Sequence, residues 1–254
     1  MAFSQYIALG DSMSIDLYPA LDAGEMDVAV ALEWNSRAGA VAPLGAASLF
    51  HRNVDERYPE FEGRDLASRY GEIGFVNLAE DGATIGDVFG AQTLEIAESD
   101  EPTLITLTIG GNDLLSAFTT RPDANRLASV VRDVADAYEF LIETLERSRP
   151  NAALILTTVY DPSDDTRVVP GLFDGAGKLP LEALLDLNGR ITRLAQQARR
   201  GAVADVYAHF QGHGVTAPES DRWYWKRNLI EPGAQGASEI RRLWLDALLL
   251  LDEN

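Results

Sequence analysis

The chain of 254 residues contains no cysteine. Disulfides, thiolate metal sites and cysteine nucleophiles are therefore excluded together. Histidine is almost as scarce, with 3 in the whole chain, so imidazole chemistry has only His51, His209 and His213 to draw on. Basic residues are also few: 21 Lys and Arg against 40 Asp and Glu give a formal net charge of -19. That imbalance argues against nucleic-acid backbones and anionic membrane surfaces as partners. The acids are spread along the chain and not gathered into a tail, which is the pattern of a solvated surface. No apolar run reaches membrane-spanning length. The N-terminus lacks the basic and apolar regions of a secretory signal, so a cytoplasmic location is expected. There is no internal repeat and no low-complexity tract.

What remains is an ordinary globular composition, 46% hydrophobic, enough for a packed core. Strand-like segments alternate with helical ones. Strands are predicted over Ala2–Leu9, Gly74–Leu78, Thr103–Ile109, Ala152–Val159 and Ala202–Tyr207. Asp123–Ser148 carries apolar residues at a 3.6-residue period, and Leu181–Arg199 and Ala234–Leu251 repeat the habit. Pro150 and Pro180 punctuate these helices. Such alternation predicts a single α/β domain with a parallel five-stranded sheet covered on both faces, its ligands at the carboxyl ends of the strands. Two stretches are long and irregular. Residues 16–69 form an insertion expected to hold short helices and a lid, and residues 208–233 include the run Arg222-Trp-Tyr-Trp-Lys-Arg227.

The chemistry gathers at predicted strand ends. Ser12 follows the first strand in Gly10-Asp11-Ser12, Gly82 follows the second, and Asn112 follows the third in Gly110-Gly-Asn112-Asp113. Serine needs a base to take its proton and donors to hold an oxyanion. The Ser12 amide, a closely approaching Gly82 amide and the Asn112 side-chain NH₂ supply three such donors.

These blocks, in this order, resemble the SGNH hydrolases, also called GDSL esterases and lipases. Gly10-Asp11-Ser12 resembles the first block, Gly82 after Asn77 the second, and Gly110-Gly-Asn112-Asp113 the third. The resemblance covers the core strands and the last helix. It implies a three-layer α/β/α, flavodoxin-like fold and hydrolysis of acyl esters, carbohydrate-linked ones included, through an acyl-enzyme on Ser12. The partner is then a small-molecule or carbohydrate ester, with no cofactor and no metal.

The fourth block departs from the family. Where Asp-x-x-His is usual, this chain has Asn228-Leu-Ile-Glu231, followed by Pro232. Three outcomes follow. Glu231 is itself the base, starting from a reference pKa of ~4.3, roughly two units below histidine, a deficit of about 3 kcal/mol. Alternatively His209 or His213 folds in as base with Glu231 orienting it. In the third the site binds an acyl or carbohydrate ligand without turning it over. A flavodoxin-like phosphate site at Gly10–Ser14 ranks last, because the loop lacks the glycine spacing of a phosphate cradle.

Each signal has a plainer reading. Ser12 serves as a helix cap, and Gly82 and Asn112 as turn residues. His209 and His213 stand four apart, but Gly212 and Gly214 break the helix that metal binding would need, and no carboxylate completes the set. Asp161-Pro-Ser-Asp-Asp165 reads as a solvated loop, and Trp223, Tyr224 and Trp225 as packing for the long connection.

Overall fold

The computed structural model describes residues 2–25, 41–172 and 177–253. Its strands are β1 Gln5–Gly10, β2 Gly74–Asn77, β3 Thr103–Thr108, β4 Ala152–Thr157 and β5 Gly201–Ala204. They form one sheet in the order β2-β1-β3-β4-β5, every pair parallel. Alternation along β1 sends Tyr6 and Ala8 into one hydrophobic core and Ile7 and Leu9 into the other. β3 and β4 are buried along their whole length, so neither presents a face to solvent.

Helices cover both faces. Trp244 and Leu248 of the helix Ala234–Glu253 pack with Leu49 and Phe50 of Ala46–His51 against the first face. Val131, Tyr138 and Leu141 of Ala124–Ser148 pack with Leu187 and Ile191 of Leu181–Gln197 on the second. The result is a three-layer α/β/α, flavodoxin-like arrangement. The chain runs from β1 outward to β2 and then crosses to β3 on the other side of β1. That reversal opens a crevice at the carboxyl ends of β1 and β3, where Gly10 pairs with Thr108.

Two sequence expectations change. β5 stops at Ala204, because the Asp205 carboxylate accepts the Ala208 N–H at 3.2 Å and starts a helix, Val206–Phe210. Tyr207 and His209 therefore lie on that helix and not at a strand end. The described parts of residues 16–69 also belong to the core: Phe50, Phe61 and Leu66 are fully buried. Residues 26–40, within the stretch expected to carry a lid, lie outside the described residues.

Arg241 ties this segment to the last helix. It is fully buried, with its guanidinium 3.5 Å from the centre of the Phe61 ring. It donates to Asn53 Oδ1 at 2.7 Å and to Ser238 Oγ at 2.6 Å. Burial brings its pKa down to about 10. Arg241→Ala would leave a cavity and an unpaired Asn53 oxygen, so it should lower stability by about 3 kcal/mol or more, read from the urea midpoint.

Candidate active site

The turn after β1 is built on a glycine. Gly10 has a φ of 128°, and a Cβ there would lie 2.0 Å from the Thr108 carbonyl oxygen. Only glycine allows the chain to leave β1 so close to β3. Gln92 clamps this residue from both sides, its Oε1 accepting the Gly10 N–H and its Nε2 donating to the Gly10 carbonyl, each at 2.8 Å. Asp11 Oδ1 accepts the Met13 N–H at 3.1 Å, and the Ser14 hydroxyl pairs with Thr108 Oγ1 at 2.8 Å. Ser12 is thereby fixed at the carboxyl edge of the sheet, 8% exposed.

The next two strand ends are tied to each other. Gly82 takes a φ of 72° in a turn closed by the Ala83 N–H on the Glu80 carbonyl at 3.2 Å. Asn112 Nδ2 donates to the Ala83 carbonyl at 3.0 Å, and Asp113 Oδ2 accepts the Ile85 N–H at 3.1 Å. The glycine turn and the Asn112 helix are thus held in register. A carboxamide has two N–H donors, so one remains for a substrate oxygen.

Glu231 stands on a tightly closed loop. Its carbonyl accepts the Trp225 N–H at 2.9 Å, and its N–H donates to the Asn228 carbonyl at 3.0 Å. The Tyr160 hydroxyl donates to the Ile230 carbonyl at 2.7 Å. Glu231 is 7% exposed. Burial lifts its pKa to about 8; the nearby Ser12 hydroxyl pulls it down, while the charges of Asp81 and Asp11 push it up. Its Oε2 and the Oδ1 of Asn228 are buried with no hydrogen-bond partner among the described residues. Burial also raises Asp11 to about 7, partly offset by the Met13 amide.

Ser12, Asn112 and Glu231 line one pocket, and Leu114, Leu115, Val159, Leu179, Leu181 and Leu184 make its walls apolar. Gly82 does not line it but adjoins it through the Ala83–Asn112 bond. Neither His209 nor His213 is on the pocket wall. His209 Nε2 meets Glu239 Oε2 at 2.8 Å, and His213 stacks on Trp223 at 3.6 Å with its Nδ1 on the Asp221 carbonyl. Tyr224 and Trp225 are buried packing residues.

The acidic loop after β4 is more ordered than a solvated loop. Asp161, 2% exposed, accepts from the Ser163 amide and hydroxyl and from the Asp165 amide. Asp164 accepts from the amides of Gly212, Gly214 and Thr216 and from the Thr216 hydroxyl. Backbone donors occupy these carboxylates.

Sequence reasoning missed Gln92, Tyr18 and Asp81. The Tyr18 hydroxyl donates to Asp81 Oδ2 at 2.8 Å, and its ring lies 5.4 Å from that of Trp225. No motif marks them. Only the nearness of Asp81 to Gly82 gave a hint.

The fold is the flavodoxin-like α/β/α arrangement found in acyl hydrolases of the GDSL type. A model of the GDSL-like lipase/acylhydrolase family matches residues 34–237, and the chain belongs to that family. The matched span includes Gly82, Asn112 and Glu231 and begins after Ser12. No curated protein matches the sequence. Among solved structures, the chain is similar to phospholipase A1 from Streptomyces albidoflavus, with 22% identity over 98% of this chain and 99% of that one, TM-score 0.62. An extracellular lipase from Streptomyces rimosus shares 18% identity over 96% and 99%, TM-score 0.59. An acetylxylan esterase from Geobacillus stearothermophilus shares 16% over 96% and 94%, TM-score 0.60. At these identities the likeness is one of fold. Among the described residues, no helix is long and apolar enough to cross a membrane.

The raised carboxyls have a cost in stability. The folded state holds the Glu231 proton up to about pH 8, whereas the unfolded chain releases it near its ordinary value of 4.5. Asp11 at about 7 and Asp16 at about 6, each from 3.8, act in the same direction. The folded state therefore binds more protons across this window, and stability falls as pH rises through it. Glu239 acts outside the window: burial raises it, but His209 and Arg242 more than offset this and hold it at about 2. Urea midpoints should fall between pH 5 and pH 9. Glu231→Gln should match the wild type at pH 5 and exceed it at pH 9 by roughly 2 kcal/mol or more.

Proposed function

We propose that this chain is a serine esterase in which Ser12 is the nucleophile and Glu231 the general base, acting on esters with an aliphatic acyl chain. The observation that carries the reading is that Ser12, Asn112 and Glu231 line one pocket, with both Ser12 and Glu231 buried; burial pushes the Glu231 pKa up to about 8. A carboxylate of ordinary basicity is a poor match for serine; one near 8 removes the deficit against histidine.

Glu231 takes the Ser12 proton as Oγ bonds to the ester carbonyl carbon. The oxyanion that forms is held by the Asn112 NH₂ and the amides of Gly82 and Ser12. Its collapse breaks the ester bond, and Glu231 returns the proton to the departing alkoxide. Water then attacks the acyl-enzyme, Glu231 taking its proton and passing it to Ser12 as the acid leaves. The base works only when ionised, so kcat/KM should rise with pH through about 8.

A serine-directed phosphonate should label Ser12, located by mass spectrometry, and Glu231→Gln should lower kcat by about 10²- to 10⁴-fold. A folded protein that resists labelling and still binds esters is instead a binding protein on this scaffold.

The acyl assignment rests on the leucine-lined pocket. The solved neighbours include a phospholipase and a lipase as well as acetyl esterases, and an acetyl group needs no such pocket. Each buried methylene contributes about 0.8 kcal/mol, so kcat/KM should climb about fourfold per carbon from acetate through the first few longer nitrophenyl esters. Leu184→Trp should abolish that climb and leave acetate hydrolysis within about twofold of the wild type.

A further inference from the structure

A histidine base is normally oriented by a carboxylate bonded to its second nitrogen. Glu231 has no such partner, since its Oε2 is buried and unbonded among the described residues. Something else must hold the carboxyl against Ser12. One side chain reaches both sides of the site. The Tyr18 hydroxyl donates to Asp81 Oδ2 at 2.8 Å, on the turn that carries Gly82. The Tyr18 ring lies 5.4 Å from the ring of Trp225, whose backbone N–H holds the Glu231 carbonyl at 2.9 Å.

We propose that Tyr18 and Asp81 are positioning residues for Glu231: the ring braces the base loop against the glycine turn, and the hydroxyl fixes the Asp81 carboxylate on that turn. The proposal rests on the reading of Glu231 as the base. The groups that face Glu231 are Ser12 and Asp11 from the turn after β1, Tyr18 from the helix Leu17–Asp22, Asp81 from the turn after β2, and Tyr160 from the segment after β4. None of these is a cation. Asp11 is buried, whereas Asp81 is exposed and bound by Tyr18. Asp81 is thus the charge that can be removed without opening the core. Its negative field makes the Glu231 carboxylate hold a proton more tightly, as an orienting acid does for an imidazole.

The test is the pH profile of kcat/KM on a soluble nitrophenyl ester. Asp81→Asn should move the acid limb to lower pH by about half a unit or more, with KM within about twofold of the wild type. Tyr18→Phe keeps the ring but releases Asp81, and should move the limb the same way. Asp81→Glu restores charge and acceptor, and should return the limb to the wild-type position. A purely structural role would lower the melting temperature and leave the limb in place. Asp81→Asn and Tyr18→Phe variants that both titrate as the wild type, beside an inactive Glu231→Gln, would overturn the roles given to Tyr18 and Asp81 alone. A Glu231→Gln enzyme with the wild-type profile would sink the base assignment as well.

Discussion

A carboxylate accepts a proton from serine near neutral pH only when its own charge is costly, and burial of Glu231 beside Ser12 creates that cost. An exposed glutamate would stay ionised far below the pH at which serine needs a base. Here the carboxyl is nearly covered, one oxygen has no partner among the described residues, and the neighbours that shift it are acidic or neutral. A cation at hydrogen-bond distance would stabilise the charged form and disable the base. The same burial destabilises the folded state at alkaline pH.

Such a group has to be held by surroundings that do not yield. The sheet supplies this. Adjacent parallel strands, with Gly10 beside Thr108, bring the Ser12 turn and the Asn112 helix to one edge. Gln92 occupies both backbone groups of Gly10, and Asn112 grips the glycine turn after β2. The Glu231 loop closes on itself through backbone bonds and leans on Tyr160. The geometry of the candidate site is thus carried by bonds that each grip a backbone group, several of them joining segments far apart in sequence. Rigid strand ends are better suited to this than long free side chains.

The strands, the long helices and the first three blocks were legible because each has a local signature: apolar runs, a 3.6-residue period, and glycine or asparagine just beyond a strand. The end of β5 was not. Ala202-Val-Ala-Asp-Val-Tyr207 reads as one strand until the Asp205 carboxylate is seen to accept the Ala208 amide. That single cap moves His209 onto a helix and against Glu239. The acidic loop after β4 misled for a related reason, since composition cannot show that backbone amides from residues 212–216 converge on Asp164. The Tyr18–Asp81 pair joins residues 63 apart and has no motif at all. Contacts that depend on the closing of the fold leave no periodic trace in the chain.

The histidines then have a different place in the argument. Glu231 and Glu239 stand within one stretch, and their surroundings drive them in opposite directions, to about 8 and about 2. Glu239 has His209 and Arg242 on its oxygens. Glu231 has the Ser12 hydroxyl nearby and, among the described residues, no cation paired with it. Two carboxyls with divergent environments have divergent chemistry. The one paired with cations is locked as an anion and ties the helix Val206–Phe210 to the last helix. The other is free to exchange a proton. The His209 imidazole and the Arg242 guanidinium are committed to the structural glutamate, and no cation among the described residues lines the pocket to hold Glu231 as an anion, which is what the proposed role as base for Ser12 requires.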